Sequence, residues 1–510
     1  MQARRRSILG LAAAPIALSA IDAAARAAPR RAPTPVAPPP VVETHRGKVR
    51  GAVEDGIKVF KGIPYAAAER FHAPRPAGGW SGVRDALAFG PTCPQLTRPT
   101  PPASRPAEAT DDCLTLNVWT PAIRDHGKRA VMVWLHGGGF SAGSASRSVL
   151  DGTRLCQRGN VVVVTVNHRL NVFGFLYLAH LGGAAFAESG NAGMLDIVAA
   201  LHWVHENIAS FGGDPGNVTI FGQSGGGAKV STLMAMPQAR GLFHKAIVQS
   251  GSHLEGLTPE EATRYAATYL AALDMKASDV PRLSRLPVAA LLAGLGKVMQ
   301  APGPKPNFSP VVDGIVLPKG PWQPDAPPVS AAVPMLIGST ATETTNLIGA
   351  AHPEDFALTD TALPNRLIPW LPARDVNRVI AGFRELMPGA AAADLFFAIT
   401  TDRRVRQQAW AQAERKAVQG GATQGAAPVW LYAMLGTGPA PQLIADQMSA
   451  AWIAFARTGK PDTTGLPPWP PFTLAQRATM VFDTTPRIVN DYRGQERAML
   501  ASLPLYRVLR

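Results

Sequence analysis

Gly222-Gln223-Ser224-Gly225-Gly226 follows the apolar run Val218-Thr219-Ile220-Phe221 and precedes Gly227 to Met236, a stretch with helical potential. A strand, a G-x-S-x-G turn and a helix in that order form the pattern that lifts one serine above a sheet edge. The glycines are required because a Cβ there would meet the neighbouring strand or helix. Ser224 is therefore the predicted nucleophile.

Working outward, apolar β-rich runs recur at Leu114 to Trp119, Ala130 to Leu135, Val161 to Val166, Lys245 to Val248, Val333 to Ile337 and Val429 to Tyr432. From Ala130 onward they are nearly continuous hydrophobic runs, as in strands buried on both faces. Helical patterns lie between them. Leu195, Val198, Leu201, Val204 and Ile208 form one helical face, with Trp203 off-phase, ahead of Phe211-Gly212-Gly213-Asp214-Pro215. Strands alternating with helices predict an α/β fold with a mostly parallel sheet flanked by helices.

A serine hydroxyl needs a base, a group to orient that base, and donors for the developing oxyanion. The donors are legible. His136-Gly137-Gly138-Gly139-Phe140 follows the strand ending at Leu135, and consecutive glycines let backbone N–H groups turn toward one point. Gly138 and Gly139, with the N–H of Gly225 after the nucleophile, make the expected oxyanion hole.

Further blocks carry a resemblance: Phe60 to Tyr65, Asp112 to Val118, His136 to Phe140, Asn167-His168-Arg169-Leu170, Phe211 to Pro215 and Gln249-Ser250-Gly251. From about Gly47 to Phe482 the chain resembles the type-B carboxylesterases, which include cholinesterases and bacterial nitrobenzyl esterases. The resemblance implies an α/β-hydrolase fold, no cofactor, and ester hydrolysis through an acyl-serine intermediate. It also implies that the acidic triad member is Glu343, in Gly338-Ser339-Thr340-Ala341-Thr342-Glu343, and it supports a disulfide between Cys93 and Cys113.

The chain departs from the family pattern in three places. The family's histidine lies beyond the strand Val429 to Tyr432, yet the last of the eleven histidines here is His352. The chain runs through Gly436-Thr437-Gly438-Pro439 to Asp446-Gln447-Met448 as though the histidine segment were deleted. Gln223 stands where Glu is usual, removing a buried charge, and Gly225 where Ala is usual. Among other histidines, His352 is the weak candidate for a substitute base. His136 is expected to support the glycine turn, and His244 and His253 to pack or face solvent. His202 and His205 with Glu206 have a metal-like spacing that reads better as a solvated helix face, so no metal is expected.

The 510 residues, 46% of them hydrophobic, suffice for a large core, and 48 Gly with 47 Pro exclude a helical bundle. The net charge of +14 is dispersed. With no Lys/Arg run, no nucleic-acid partner is expected, only a small-molecule ester. Residues 1–27 read as a signal peptide: Arg5-Arg6-x-Ile8-Leu9 resembles a twin-arginine leader, and Ala25-Arg26-Ala27 is a small-x-small cleavage site. The apolar run is broken by Pro15 and is too short for a permanent anchor. Residues 28–47 read as a Pro-rich spacer and 48–510 as one domain, placing the protein in the periplasm or outside the cell. In that setting Cys93 and Cys113 are close enough in sequence for one disulfide, worth about 3 kcal/mol on a chain-entropy model, with Cys156 a packed thiol.

The resulting expectation is an exported carboxylic-ester hydrolase, impaired by loss of the histidine segment. The alternative is a non-catalytic hydrolase-fold binding protein or an inactive relative. In a serine triad, loss of the histidine alone costs roughly a million-fold in kcat, leaving about a thousand-fold over water.

Overall fold

The computed structural model describes residues 38–96, 109–422, 429–434 and 441–506. The expected signal peptide 1–27 lies outside the described residues, as do most of the spacer and the stretch Gly436 to Pro439. The residues from Pro39 onward cluster as one compact unit. Order begins earlier than composition indicated. Val41–Thr44 pairs antiparallel with Gly47–Arg50, which also pairs with Val83–Asp85. Val42 and Val49 are fully buried, and burying such side chains is worth about 1.5–3 kcal/mol each, which ties this end down.

The main sheet has eleven strands. They are β1 Ala52–Glu54, β2 Ile57–Pro64, β3 Thr115–Thr120, β4 Arg129–Leu135, β5 Val162–Val166, β6 Gly213–Gln223, β7 Lys245–Gln249, β8 Met335–Thr340, β9 Val429–Met434, β10 Thr479–Phe482 and β11 Arg487–Val489. Their spatial order is β11-β10-β9-β8-β7-β6-β4-β5-β3-β2-β1. From β5 through β10 every neighbouring pair is parallel, with antiparallel strands at both margins.

The continuous apolar runs are explained by two cores, one on each face. Along β4, Val131, Val133 and Leu135 enter one core while Ala130 and Met132 enter the other. In β7, Ala246 and Val248 face opposite to Ile247, and in β8, Met335 and Ile337 face opposite to Leu336. This is the period of two, buried both ways. Helices α1 Ala192–Asn207 and α2 Gly225–Leu233 cover the first face, and α6 Pro441–Thr458 covers the second through Ala451, Trp452, Phe455 and Ala456. Trp203, off-phase in sequence, is buried too, because α1 is enclosed on more than one side.

A third apolar cluster lies apart, built from Leu363, Phe383, Phe396, Ile399 and Leu500 among others. It includes α4 Ala392–Thr401, which runs through a π-helical turn, Asp402–Arg406, into α5 Gln407–Ala422. Between β8 and α4, the chain forms the short helix α3 Glu343–Leu347. Among the described residues no helix is long and apolar enough to cross a membrane.

Candidate active site

Because β4, β6, β7 and β8 are parallel neighbours, their C-terminal ends share one sheet edge. Backbone bonds stitch that edge together. Ser224 N–H donates to Gln249 O at 2.8 Å, and Ser250 N–H to Gly338 O at 2.8 Å.

Ser224 stands between β6 and α2 with φ 58° and ψ −125°. A non-glycine residue there is strained by about 1–3 kcal/mol and persists only where its surroundings over-determine it. Glycines supply that constraint. A Cβ at Gly226 would sit 2.0 Å from Leu135 O, and one at Gly222 2.5 Å from the Gly226 carbonyl carbon. The Ser224 hydroxyl makes no cap bond to its own helix and the residue is half-buried.

The glycine loop lies against this turn. A Cβ at Gly225 would fall 2.3 Å from Gly139 N, so Gly225 and Gly139 are in backbone contact. Gly138 and Gly139 have φ 98° and 62°, conformations open to glycine. Gly138 O accepts from Ala142 N–H at 3.0 Å, and Phe140 O from Asn171 N–H at 2.8 Å. No carbonyl among the described residues takes the Gly138 or Gly139 N–H in these loop bonds. Gly138, Gly139 and Gly225 are thus brought together beside Ser224.

Behind the loop, His136 is buried and its Nδ1 donates to Gly137 O at 2.9 Å. His168 stacks on it at 4.9 Å between centroids, and its own Nδ1 donates to Arg169 O at 2.7 Å. These bonds assign the proton to Nδ1 in both rings. Burial, with Lys229 nearby, holds both imidazoles well below their ordinary pKa, so they are neutral. Arg169 fixes this turn through a buried ion pair with Asp196 of α1, Nη2 to Oδ1 at 2.6 Å. Lys229, fully buried on α2, donates to His136 O at 2.8 Å.

Glu343 begins α3 at the same edge, buried, with Oε1 accepting from Thr340 N–H at 2.8 Å. Arg406 Nη2 donates to Thr340 O at 3.2 Å and to Ala341 O at 2.9 Å, and pairs with the fully buried Asp402. No histidine among the described residues bonds to Glu343.

His352 is exposed and its Nδ1 lies 3.1 Å from Glu354 Oε1, so it faces solvent rather than the edge. His202 and His205 are exposed on α1, and His244 Nδ1 accepts from Val218 N–H at 3.1 Å, a packing role. His253 is nearer the site than its reading implied. It lies 5.3 Å from the Phe140 ring and 2.9 Å from Thr232 Oγ1, and its Nε2 is buried without a partner. Burial pushes it down to about 4.

Two expectations are corrected. Gln223 is exposed, so no buried charge is removed there: it shares a face with the buried Phe221 but stands at the last position of the strand, where that cover ends. Cys93 and Cys113 are free thiols, as is Cys156. Leu170 N–H donates to Cys93 Sγ at 3.2 Å, the Cys93 thiol donates to Pro94 O at 3.6 Å, and both Cys93 and Cys113 are buried. Lys229 and Arg406 were missed by sequence reading. A lysine inside an otherwise apolar helix face was the available signal for the first; the second had none.

The carboxylesterase family model matches residues 38–365. The para-nitrobenzyl esterase of Bacillus subtilis (strain 168) is 33% identical over 506 residues, 90% of this chain and 98% of that protein. The phenmedipham hydrolase of Pseudarthrobacter oxydans is 32% identical over 490 residues, 87% of this chain and 94% of that protein. The crystal structure of the Geobacillus stearothermophilus carboxylesterase EST55 at pH 6.2 superposes with a TM-score of 0.78 at 36% identity, covering 90% of this chain and 99% of that one. An α/β-hydrolase sheet with a strained serine at its edge, matched over nearly the full length of such esterases, leads to one conclusion: the chain belongs to the carboxylesterase family and is a serine carboxylic-ester hydrolase.

Proposed function

We propose that Ser224 is the nucleophile of a slow, exported esterase acting on small-molecule esters with good leaving groups. The observation that carries this is the strained Ser224 backbone, whose hydroxyl makes no cap bond to its own helix and whose neighbour Gly225 lies in backbone contact with Gly139 of the glycine loop. Ser224 Oγ attacks the ester carbonyl, and the N–H groups of Gly138, Gly139 and Gly225 hold the resulting oxyanion. The alcohol departs, and water releases the acid from the acyl-serine. Glu343 is the carboxylate that would orient a base, but the one histidine that follows it, His352, is exposed beside Glu354, and no histidine among the described residues bonds to Glu343. The Ser224 proton therefore passes to water, which is why the enzyme is slow.

Residues 1–27 support export to the periplasm or beyond, and cell fractionation tests this. Glu343, to which no histidine among the described residues bonds, favours a second reading, a hydrolase-fold protein that binds rather than cleaves. Labelling with a fluorophosphonate, read by intact mass with Ser224→Ala as control, separates the two. Stoichiometric labelling of wild type alone supports the nucleophile; a folded sample that stays unlabelled sinks it.

A further inference from the structure

Lys229 is out of place for a merely structural residue. It is fully buried on α2, five residues beyond Ser224, and no carboxylate among the described residues offsets its charge. Burying an unpaired ammonium is costly, and a methionine of similar shape would fill the space without that cost. Its contacts have a pattern. Nζ donates to His136 O at 2.8 Å, immediately before the glycine triplet, and stands 5.9 Å from the ring of Phe140, immediately after it. One ammonium, carried by the helix that begins at the nucleophile, thus meets both ends of the loop bearing the oxyanion donors. Three successive glycines are conformationally loose, and their register against Ser224 needs such a tie.

We propose that Lys229 is a positioning residue of the oxyanion hole: its ammonium fixes the His136–Phe140 loop on the nucleophile helix and sets positive charge behind the developing oxyanion. This rests on Ser224 being the nucleophile. The titratable groups facing Lys229 are His136 at the end of β4 and His168 after β5, both held neutral by burial. Burial lowers Lys229 itself to about 7, so around neutral pH it alone titrates in this nest. The charged form is the useful one, and its contribution is lost as pH rises through that value.

The test compares wild type, Lys229→Met and Lys229→Arg for p-nitrophenyl acetate turnover and fluorophosphonate labelling from about pH 6 to about pH 9, with Ser224→Ala as blank. Lys229→Met is expected to lose about tenfold in kcat at the acid end with KM unchanged, less than the about 10²–10³ lost with a direct donor. Lys229→Arg should restore most of it. The wild-type to Met ratio should fall toward one as pH rises. A ratio near one at every pH, with Ser224→Ala still inactive, overturns the positioning role alone. Wild type no more reactive than Ser224→Ala overturns the nucleophile reading and this proposal with it. If the Met variant does not fold, the Arg variant decides: wild type should lose rate relative to it on passing about pH 7, and parallel profiles overturn the proposal.

Discussion

The two flanks of the catalytic edge are built by different physics. On the β4 flank, backbone meets backbone: a Cβ at Gly225 or Gly226 would fall 2.3 or 2.0 Å from atoms of Gly139 or Leu135. On the β8 flank, Glu343 is held by one hydrogen bond from Thr340 N–H, on a turn that the buried Arg406–Asp402 pair keeps in place. In the proposed function the direct donors to a negative oxygen on the first flank are backbone N–H groups, with Lys229 behind their loop. The second presents a carboxylate but no histidine to orient. On the function proposed above, oxyanion stabilisation and proton transfer are separable parts of this architecture.

The largest effect that could break this contrast is on Ser224→Ala, expected to abolish fluorophosphonate labelling completely by intact mass. Labelling elsewhere in that variant would mean the β4 flank is not the reactive one. Next, Arg406→Met should leave Asp402 charged and fully buried, costing about 3–5 kcal/mol in denaturant unfolding. A loss under about 1 kcal/mol would show that the β8 flank does not depend on this pair.

Lys229 sharpens the contrast through pH. Its folded pKa, about 7, lies below its unfolded value of about 10.4. The unfolded chain therefore binds the extra proton between those values, and stability rises with pH there. The difference in unfolding free energy, wild type minus Lys229→Met, should climb by about 1.4 kcal/mol per unit in that window and be flat below it. A flat difference throughout would mean that Lys229 keeps its charge.

Gly226→Ala drives a Cβ against Leu135 O and should destabilise by about 1–3 kcal/mol, read from the denaturation midpoint. A neutral result would mean the β4 flank yields more easily than its contacts imply. The smallest effect is expected for His352→Ala, within about 0.5 kcal/mol and with labelling unchanged, since its ring is at the surface beside Glu354. A drop in labelling would bring a distant histidine back to the β8 flank.

The strands, their parallel run and the serine turn were legible because each is written locally. Val131 and Met132 are apolar in succession because both faces of β4 are buried, and Gly222 and Gly226 are glycine because carbonyls occupy the space of their side chains. That no histidine follows His352 was legible too, since it is a matter of residue identity and order. Lys229 stood out in sequence only as a lysine on an otherwise apolar helix face, which does not say whether it is buried. Only the packing of α2 beneath the glycine loop buries it and brings it to His136 O. The same holds for Arg406, whose carbonyl partners are more than sixty residues away in the chain, and for Gln223, whose exposure depends on what covers the strand end. Sequence by itself determined the fold and the nucleophile candidate, because backbone sterics and hydrophobic period act between near neighbours. Tertiary structure alone decided which charges are buried, because desolvation depends on everything that surrounds a group.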